Sequence, residues 1–275
     1  MSSLADTKAA WDRIATAYDR TVTPTHLQLG DDGLTLAGLR PGMTFLDVAT
    51  GSGSLSIPAA RLGAKVLATD LSPVMLDRLE QRASEEGLDI ETRVMDGQAL
   101  ELDDGSFDMA GSQFGVMLFP DMPRGIGEMA RVVKPGGRVL VTAFGDPRKV
   151  EFFAILVDAI QSVRPDFTGP PMDPPPLPFQ LQDPERLRSE LRSAGLADVR
   201  VETGEEPLVF RTGAELWTWQ RSSNPIVERL LADLAITSSE REDIEEALEQ
   251  RVRNRVGGDG GAVLTCAINF GVGVK

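Results

Sequence analysis

The stretch "DVATGSGSLSIPAA", residues 47–60, decides the fold. A short apolar strand from about Phe45 ends there in Gly51 and Gly53, and a helix is expected to follow as far as about Leu62. Glycine carries no Cβ, so the backbone can turn sharply and approach a ligand closely. In an open parallel sheet, ligands bind beyond the carboxyl ends of the strands, and such a turn is the expected seat of a nucleotide-type cofactor.

Strand-like and helix-like segments alternate outward from that turn. "KVLATD" (65–70) reads as a second strand. "SPVMLDRLEQRASEEG" (72–87) reads as a helix with Ser72 as cap, Pro73 at its first position and Gly87 at its end. "IETRVMD" (90–96) and "SFDMAGSQF" (106–114) are the third and fourth strands, and Ile126, Met129 and Val133 recur at helical spacing after them. "KPGG" (134–137) suits a type II turn before a fifth strand, "RVLVTAF" (138–144). This alternation predicts an α/β fold, a doubly wound, seven-stranded, mainly parallel sheet with helices on both faces.

Beyond Phe144 the pattern changes. "VEFFAILVDAIQSV" (150–163) predicts an amphipathic helix, and seven prolines follow within "RPDFTGPPMDPPPLPF" (164–179). Proline fixes φ and lacks an amide donor, so this piece is neither helix nor inner strand. It reads either as a stiff connection or as a loop over a substrate cleft. "DPERLRSELRSAG" (183–195) is a capped helix and "DVRVET" (198–203) a sixth strand. Residues 204–261 are expected to be mostly helical. Ser239 and Glu242 stand at capping-box spacing, and Ile244, Leu248, Val252 and Val256 repeat every four residues. "AVLTCAINFGV" (262–272) is the seventh strand. The expected organisation is an N-terminal helical lid (1–40), a cofactor-binding core (41–146), a helix plus Pro-rich insertion (147–182) and the rest of the sheet (183–275).

Composition narrows the function. The chain has 275 residues and a formal net charge of −14, without a basic stripe, which argues against a nucleic-acid partner. The single cysteine, Cys266, excludes an intramolecular disulfide and a Cys-rich metal cage, and its apolar surroundings predict a buried strand thiol. No apolar run approaches the ~20 residues that span a bilayer. "MSSLADTKAAWDRIATAYDR" is too polar for a signal peptide, so a cytoplasmic protein, monomeric or homodimeric, is expected.

A hydride-transferring enzyme would show G-x-G-x-x-G, but Ser56 holds the third glycine position. Asp70 closes the second strand seventeen residues after Gly53, where a carboxylate can accept both hydroxyls of an adenosine ribose. Asp96, in "DGQ", ends the third strand where an adenine amino group would sit. The alternative is an ordinary turn aspartate beside Gly97.

Taken together, "LDVATGSG", "VLATDLSPVML", "VMDGQALELDDGSFD", "SQFGVMLFPD" and "EMARVVKPGGRVLV" resemble the class I S-adenosylmethionine-dependent methyltransferases, in particular their ubiquinone/menaquinone-type small-molecule branch. The match spans about a hundred residues, Phe45 to Phe144, with one departure: Ala49 stands where the family's first motif has glycine. The resemblance implies S-adenosyl-L-methionine as cofactor. It implies that Asp47 orders the turn and that Ala49, Thr50, Gly51, Ser52 and Gly53 line the methionine part. Asp70 would take the ribose, Leu71 and Met75 flank adenine, and Asp96, Gly97 and Gln98 meet its edge. Gln113 would lie near the methionine moiety and the acceptor. Tyr18 looks like the family's N-terminal aromatic that closes over the cofactor, a core position being the alternative.

The expected activity is methyl transfer to a small hydrophobic or aromatic acceptor, O- or C-methylation being favoured, without a metal. Positioning supplies most of the acceleration when the methyl group arrives already activated. His26, the only histidine, is the candidate base, with a structural half-buried role as the alternative. Phe114, Met117, Phe119, Met172, Phe179, Trp217 and Trp219 are pocket candidates. A nicotinamide-dependent oxidoreductase and a non-catalytic cofactor-binding module remain as rival readings.

Overall fold

The computed structural model describes residues 3–256 and 260–275. In chain order the elements begin with α1 (Leu4–Thr21), α2 (Leu27–Ala37), β1 (Thr44–Val48), α3 (Ser56–Arg61), β2 (Lys65–Asp70) and α4 (Pro73–Glu86). Then come β3 (Ile90–Val94), β4 (Phe107–Gln113), α5 (Met122–Val132), β5 (Val133–Phe144), α6 (Glu151–Val163) and α7 (Pro184–Ser193). The chain ends with β6 (Ala197–Phe210), α8 (Gly213–Ser223), α9 (Pro225–Asp233), α10 (Ser238–Arg253) and β7 (Ala262–Val274).

The strands form one seven-stranded sheet in the order β3-β2-β1-β4-β5-β7-β6. The first five run parallel, and β7 lies antiparallel between β5 and β6. Central strands are covered on both faces, so β1 and β2 read as near-continuous buried runs. The strand order reverses between β1 and β4, which puts the crevice for a ligand beyond Val48 and Gln113. α1 crosses that end of the sheet, packing on α4, α8 and α9, while α10 packs on α6 and α8. Among the described residues no helix is long and apolar enough to cross a membrane.

Three local expectations are corrected. β6 does not stop at Thr203: it pairs with β7 as far as Phe210↔Ala262, so 204–210 is strand and the helices begin at Gly213. Cross-strand pairing along the edge of the sheet overrides the short reading of "DVRVET". α10 is capped not by Ser239 but by Thr237, whose Oγ1 accepts from Glu240 N at 3.2 Å while Glu240 Oε2 accepts from Thr237 N at 2.8 Å. Ile244, Leu248 and Val252 are buried on that helix, but Val256 lies beyond its end and is exposed. Val133 opens β5 rather than ending α5. The pairing with β4 jumps from Phe107↔Val133 to Met109↔Arg138, and "KPGG" forms the intervening irregularity with Gly136 at φ +80. Residues 257–259 of the expected helical stretch, and Met1 and Ser2, lie outside the described residues.

Candidate active site

The glycine turn is held from behind. Asp47 is wholly buried at the end of β1, and its Oδ2 accepts from Thr50 Oγ1 at 2.7 Å and Ser56 Oγ at 2.6 Å. Burial pushes its carboxyl up to about 6, against the lowering effect of those hydroxyls. Gly53 requires glycine twice over: its φ is +98, and a Cβ there would meet Leu79 Cδ1 at 2.3 Å. Ala49 also sits in the left-handed region, at φ +56, where an L-residue costs roughly 1–2 kcal/mol.

Asp70 closes the turn from β2. Its Oδ2 accepts from Gly51 N at 2.9 Å and its Oδ1 from Ser72 N at 2.8 Å. Each carboxylate oxygen keeps a second lone pair for a ligand hydroxyl. Enclosure raises this carboxyl to about 6, offset in part by the Ser72 and Gly51 amides. Ser72 serves as N-cap of α4, accepting from Met75 N, and donates from Oγ to Asp12 on α1. The helix α1 is thereby tied to the residue whose amide anchors Asp70.

A cavity opens over this turn, with about 950 Å³ of unfilled space, part of it open to solvent. Ala49, Thr50 and Gly51 form its floor, Asp70, Leu71 and Met75 one wall, and Asp96, Gly97 and Gln98 another. Gln113 enters from β4, and Tyr18 covers the space from α1. Enclosure, with Asp70, Glu206 and Asp47 nearby, pushes the Tyr18 phenol well above its usual range. Ser52 and Gly53, which the resemblance puts along the methionine part, lie outside its lining, and Asp47 holds the turn from behind. Asp96 has the geometry of a turn aspartate, its Oδ1 accepting from Gln98 N at 2.9 Å, and it still faces the cavity. The Gln98 side chain is already engaged, accepting from Asp121 N at 2.9 Å. Gln113 Nε2 donates to His26 O at 3.1 Å and Ser54 Oγ at 3.2 Å, while its buried Oε1 has no partner among the described residues.

A second cavity adjoins the first across Trp11, Tyr18, Phe114 and Leu118, with about 990 Å³ of unfilled space. Its lining is a set of packed rings: Phe114 stacks on Phe144 at 4.5 Å, and Phe152 meets Trp219 edge-on at 4.9 Å. Phe153 and Phe179 lie 4.8 Å apart, and Pro170, Pro176 and Pro178 bring the Pro-rich segment into the wall. Phe114, Met117, Phe179 and Trp219 therefore line it as expected of pocket residues, whereas Phe119 lines the first cavity. Met172 is exposed, and Trp217 is buried elsewhere with Arg221 over its ring. Residues two apart on a helix do not share a face, so α8 can present Trp219 to the cavity and not Trp217.

His26 lies in the second cavity's wall, in a 3₁₀ turn between α1 and α2. It is buried, its ring 5.0 Å from Phe114 and 6.0 Å from Trp219. Its Nδ1 is 2.6 Å from Glu206 Oε1, a residue equally buried on β6. Sequence reasoning missed Glu206 because it placed 204–210 outside the sheet. As a strand, "EPLVF" turns Glu206, Leu208 and Phe210 inward, and a carboxylate in that alternating apolar row is the signal. Cys266, paired with Glu206 across the sheet, is buried, and burial raises its thiol far above the usual range. It is a packing thiol rather than a nucleophile.

Residues 46–141 match the methyltransferase domain family. The nocamycin O-methyltransferase of Saccharothrix syringae is 30% identical over 223 residues, 76% of this chain and 79% of its own length. The demethylmenaquinone methyltransferase of Clavibacter sepedonicus is 36% identical over 145 residues, 50% of this chain and 58% of that one. An uncharacterised Mycobacterium tuberculosis protein is 38% identical over 141 residues, and the chain spans about half the length of such curated relatives, 50% in this case. The crystal structure of the YcgJ protein from Bacillus subtilis overlays with a TM-score of 0.58 at 16% identity, covering 91% of this chain and 97% of that one, a likeness of fold. With the glycine turn, Asp70 and the strand order in place, the chain belongs to the class I S-adenosylmethionine-dependent methyltransferases.

Proposed function

We propose that the protein transfers the methyl group of S-adenosylmethionine to a small, apolar, ring-containing acceptor. The observation that carries this reading is the contrast between two adjoining cavities. Among the described residues, the first is lined by Asp70 and Asp96 and by no Lys or Arg. That lining suits a ligand bearing a sulfonium and an ammonium, and its two carboxylates, with no Lys or Arg beside them, disfavour the pyrophosphate of a dinucleotide. The second carries rings and, among the described residues, no Lys, Arg, Asp or Glu, so it suits an uncharged acceptor.

In this reading Asp70 accepts the ribose hydroxyls while Leu71 and Met75 flank the adenine. Asp96 and the backbone of Gly97 and Gln98 meet the adenine edge. Ala49, Thr50 and Gly51 line the methionine part, with Asp47, Ser52 and Gly53 fixing the turn from behind. Gln113 Oε1, unpartnered among the described residues, accepts from the amino group. Bound there, the cofactor supplies a methyl group already activated on sulfur. The chain's own contribution is alignment and exclusion of water. Tyr18 and Trp11 close the cofactor side from 1–40, and 147–182 closes the acceptor side around the core of 41–146, with 183–275 completing the sheet. His26 receives the acceptor's proton where one must leave.

Calorimetric titration with S-adenosylmethionine and, separately, NADH tests the proposal on wild type and Asp70→Ala. Micromolar binding of the sulfonium compound alone, weakened at least tenfold by the substitution (about 1.4 kcal/mol), is expected. Binding of NADH alone would return the protein to the oxidoreductase reading. Binding of the sulfonium compound without turnover on any ring-containing acceptor would favour a cofactor-binding module.

A further inference from the structure

We propose that the acceptor is an uncharged phenol or enol that gives its proton to His26 Nε2 inside the second cavity, and that Glu206 is the positioning residue that makes Nε2 the accepting nitrogen. This deepens the methyltransferase reading and rests on it. Nothing in the sequence motifs involves Glu206, which reaches His26 across 180 residues of chain.

Three features of the cavity converge. Its lining has no Lys, Arg, Asp or Glu among the described residues, so a carboxylate, phosphate or ammonium on the acceptor would lose its hydration without gaining a Lys, Arg, Asp or Glu to pair with. Its walls are rings, with Phe114, Phe144, Phe152 and Trp219 in mutual contact, which selects flat apolar molecules. His26, in the wall, is paired outside the lining with Glu206, 2.6 Å away, the two side chains 3% and 4% exposed. A carboxylate can only accept, so the proton of a neutral imidazole stays on Nδ1 and Nε2 is left as the acceptor.

The pair also accounts for charge. The acceptor's O–H bond breaks toward His26 Nε2. Its oxygen bonds to the transferred methyl carbon as the C–S bond breaks, and that electron pair stays on sulfur. One positive charge thus passes from the sulfonium to the imidazolium, beside Glu206, whose second oxygen, Oε2, is buried with no hydrogen-bond partner among the described residues. A structural histidine in an aromatic core needs no carboxylate. Here a carboxylate stands on an inward strand position with its Oε1 2.6 Å from His26 Nδ1, where it fixes the ring and faces the imidazolium that the transfer creates. The other titratable groups facing Glu206 are Tyr18 from α1 and Cys266 from β7, each held in its neutral form by enclosure and by Glu206 itself.

The test uses two chromophoric phenols, umbelliferone and para-nitrophenol, bound to the full chain with S-adenosylhomocysteine and buffered below each probe's titration midpoint. The expected result is a bound probe whose phenolate-to-phenol absorbance ratio is roughly tenfold above its value in solution, one pKa unit of differential interaction. Glu206→Gln should bind S-adenosylhomocysteine and the probe as wild type does and lose that enrichment. His26→Gln should keep S-adenosylhomocysteine binding and lose the enrichment on whatever probe it still binds, and it decides the matter if the Glu206 variant does not fold. A carboxylated umbelliferone should bind at least tenfold more weakly than its parent. Equal binding of the carboxylated probe, an unshifted spectrum, an enrichment that survives in both variants, or no binding of either phenol would each overturn the inference. Failure of wild type to bind S-adenosylhomocysteine would instead strike the cofactor reading beneath it.

Discussion

Ala49 and Gly115 meet on the floor of the cofactor cavity: a Cβ built on Gly115 would stand 2.6 Å from the Cβ of Ala49. Ala49 occupies the left-handed region, at φ +56, in a position where the resembling family carries glycine. The extra methyl is accommodated because the facing turn after β4 has none. Gly115→Ala is therefore expected to cost about 1–3 kcal/mol by overpacking. Ala49→Gly alone should stabilise the protein by about 1 kcal/mol, since relief of the left-handed strain exceeds the glycine entropy. The double variant should recover only part of the loss, because the new Cβ would also lie 2.8 Å from Ser112 Oγ. Urea denaturation of the four proteins measures the coupling, and strict additivity would remove the pairing.

Asp70 sets a pH dependence whose sign follows from its environment. Its carboxyl is raised to about 6 by enclosure, so between about 4 and 6 the cofactor-free fold binds a proton that the unfolded chain has lost. In that window these groups make the fold less stable as pH rises, the reverse of a salt-bridged carboxylate. Asp47, also pushed up to about 6, acts in the same direction. Ribose hydroxyls donate to the ionised form, so S-adenosylmethionine affinity is expected to fall as pH drops below about 6, by up to tenfold per unit. Asp70→Asn should flatten most of that slope, leaving a residue from Asp47. Calorimetry across pH 4.5 to 8 reads both, about one unit being 1.4 kcal/mol. An affinity independent of pH would show that Asp70 does not meet the ligand.

The start of α10 tests how local signals compete. "ITSSERED" offers two capping boxes, Thr237 with Glu240 and Ser239 with Glu242. The chain uses the first, because Ala235 turns at φ +50 and buries Ile236, fixing where the helix begins. Thr237→Ala should cost about 1 kcal/mol and Ser239→Ala close to nothing. A larger loss at Ser239 in thermal melts would reverse the assignment.

The same contrast between local and distant information governs what was legible. The glycine turn, Asp70 and the N-cap Ser72 are encoded within a few residues, and the alternation of strands and helices carries the rest of the parallel sheet. Glu206 was not legible, because its role depends on β6 pairing with β7 and on His26, 180 residues away. Trp217 and Trp219 are equivalent in sequence, and only the packing of α8 separates them. Gln98 looked free to meet adenine, but the turn at Asp121 claims its side-chain oxygen.

The Pro-rich segment, which reads from sequence as either a stiff connection or a cleft loop, can be tested through its anchors. Gln180 Nε2 donates to Met117 O at 2.9 Å and Phe119 O at 3.1 Å, tying the end of the segment to the turn that lines both cavities. Beyond it, Asn269 Nδ2 donates to Leu181 O at 3.0 Å and Gln182 O at 2.9 Å, fixing the far side to β7. Gln180→Leu removes the first clamp and leaves the second, freeing Pro176, Pro178 and Phe179 to move from the wall of the second cavity. With two hydrogen bonds lost at about 1 kcal/mol each, KM for an aromatic acceptor should rise roughly tenfold or more. The Kd for S-adenosylmethionine should stay within about twofold, since the cofactor floor is not touched. Asn269→Leu, farther from the cavity, should lower stability with a smaller change in KM. A stiff connection without a role at the cleft would instead give two variants that lose stability alike and leave KM where it was.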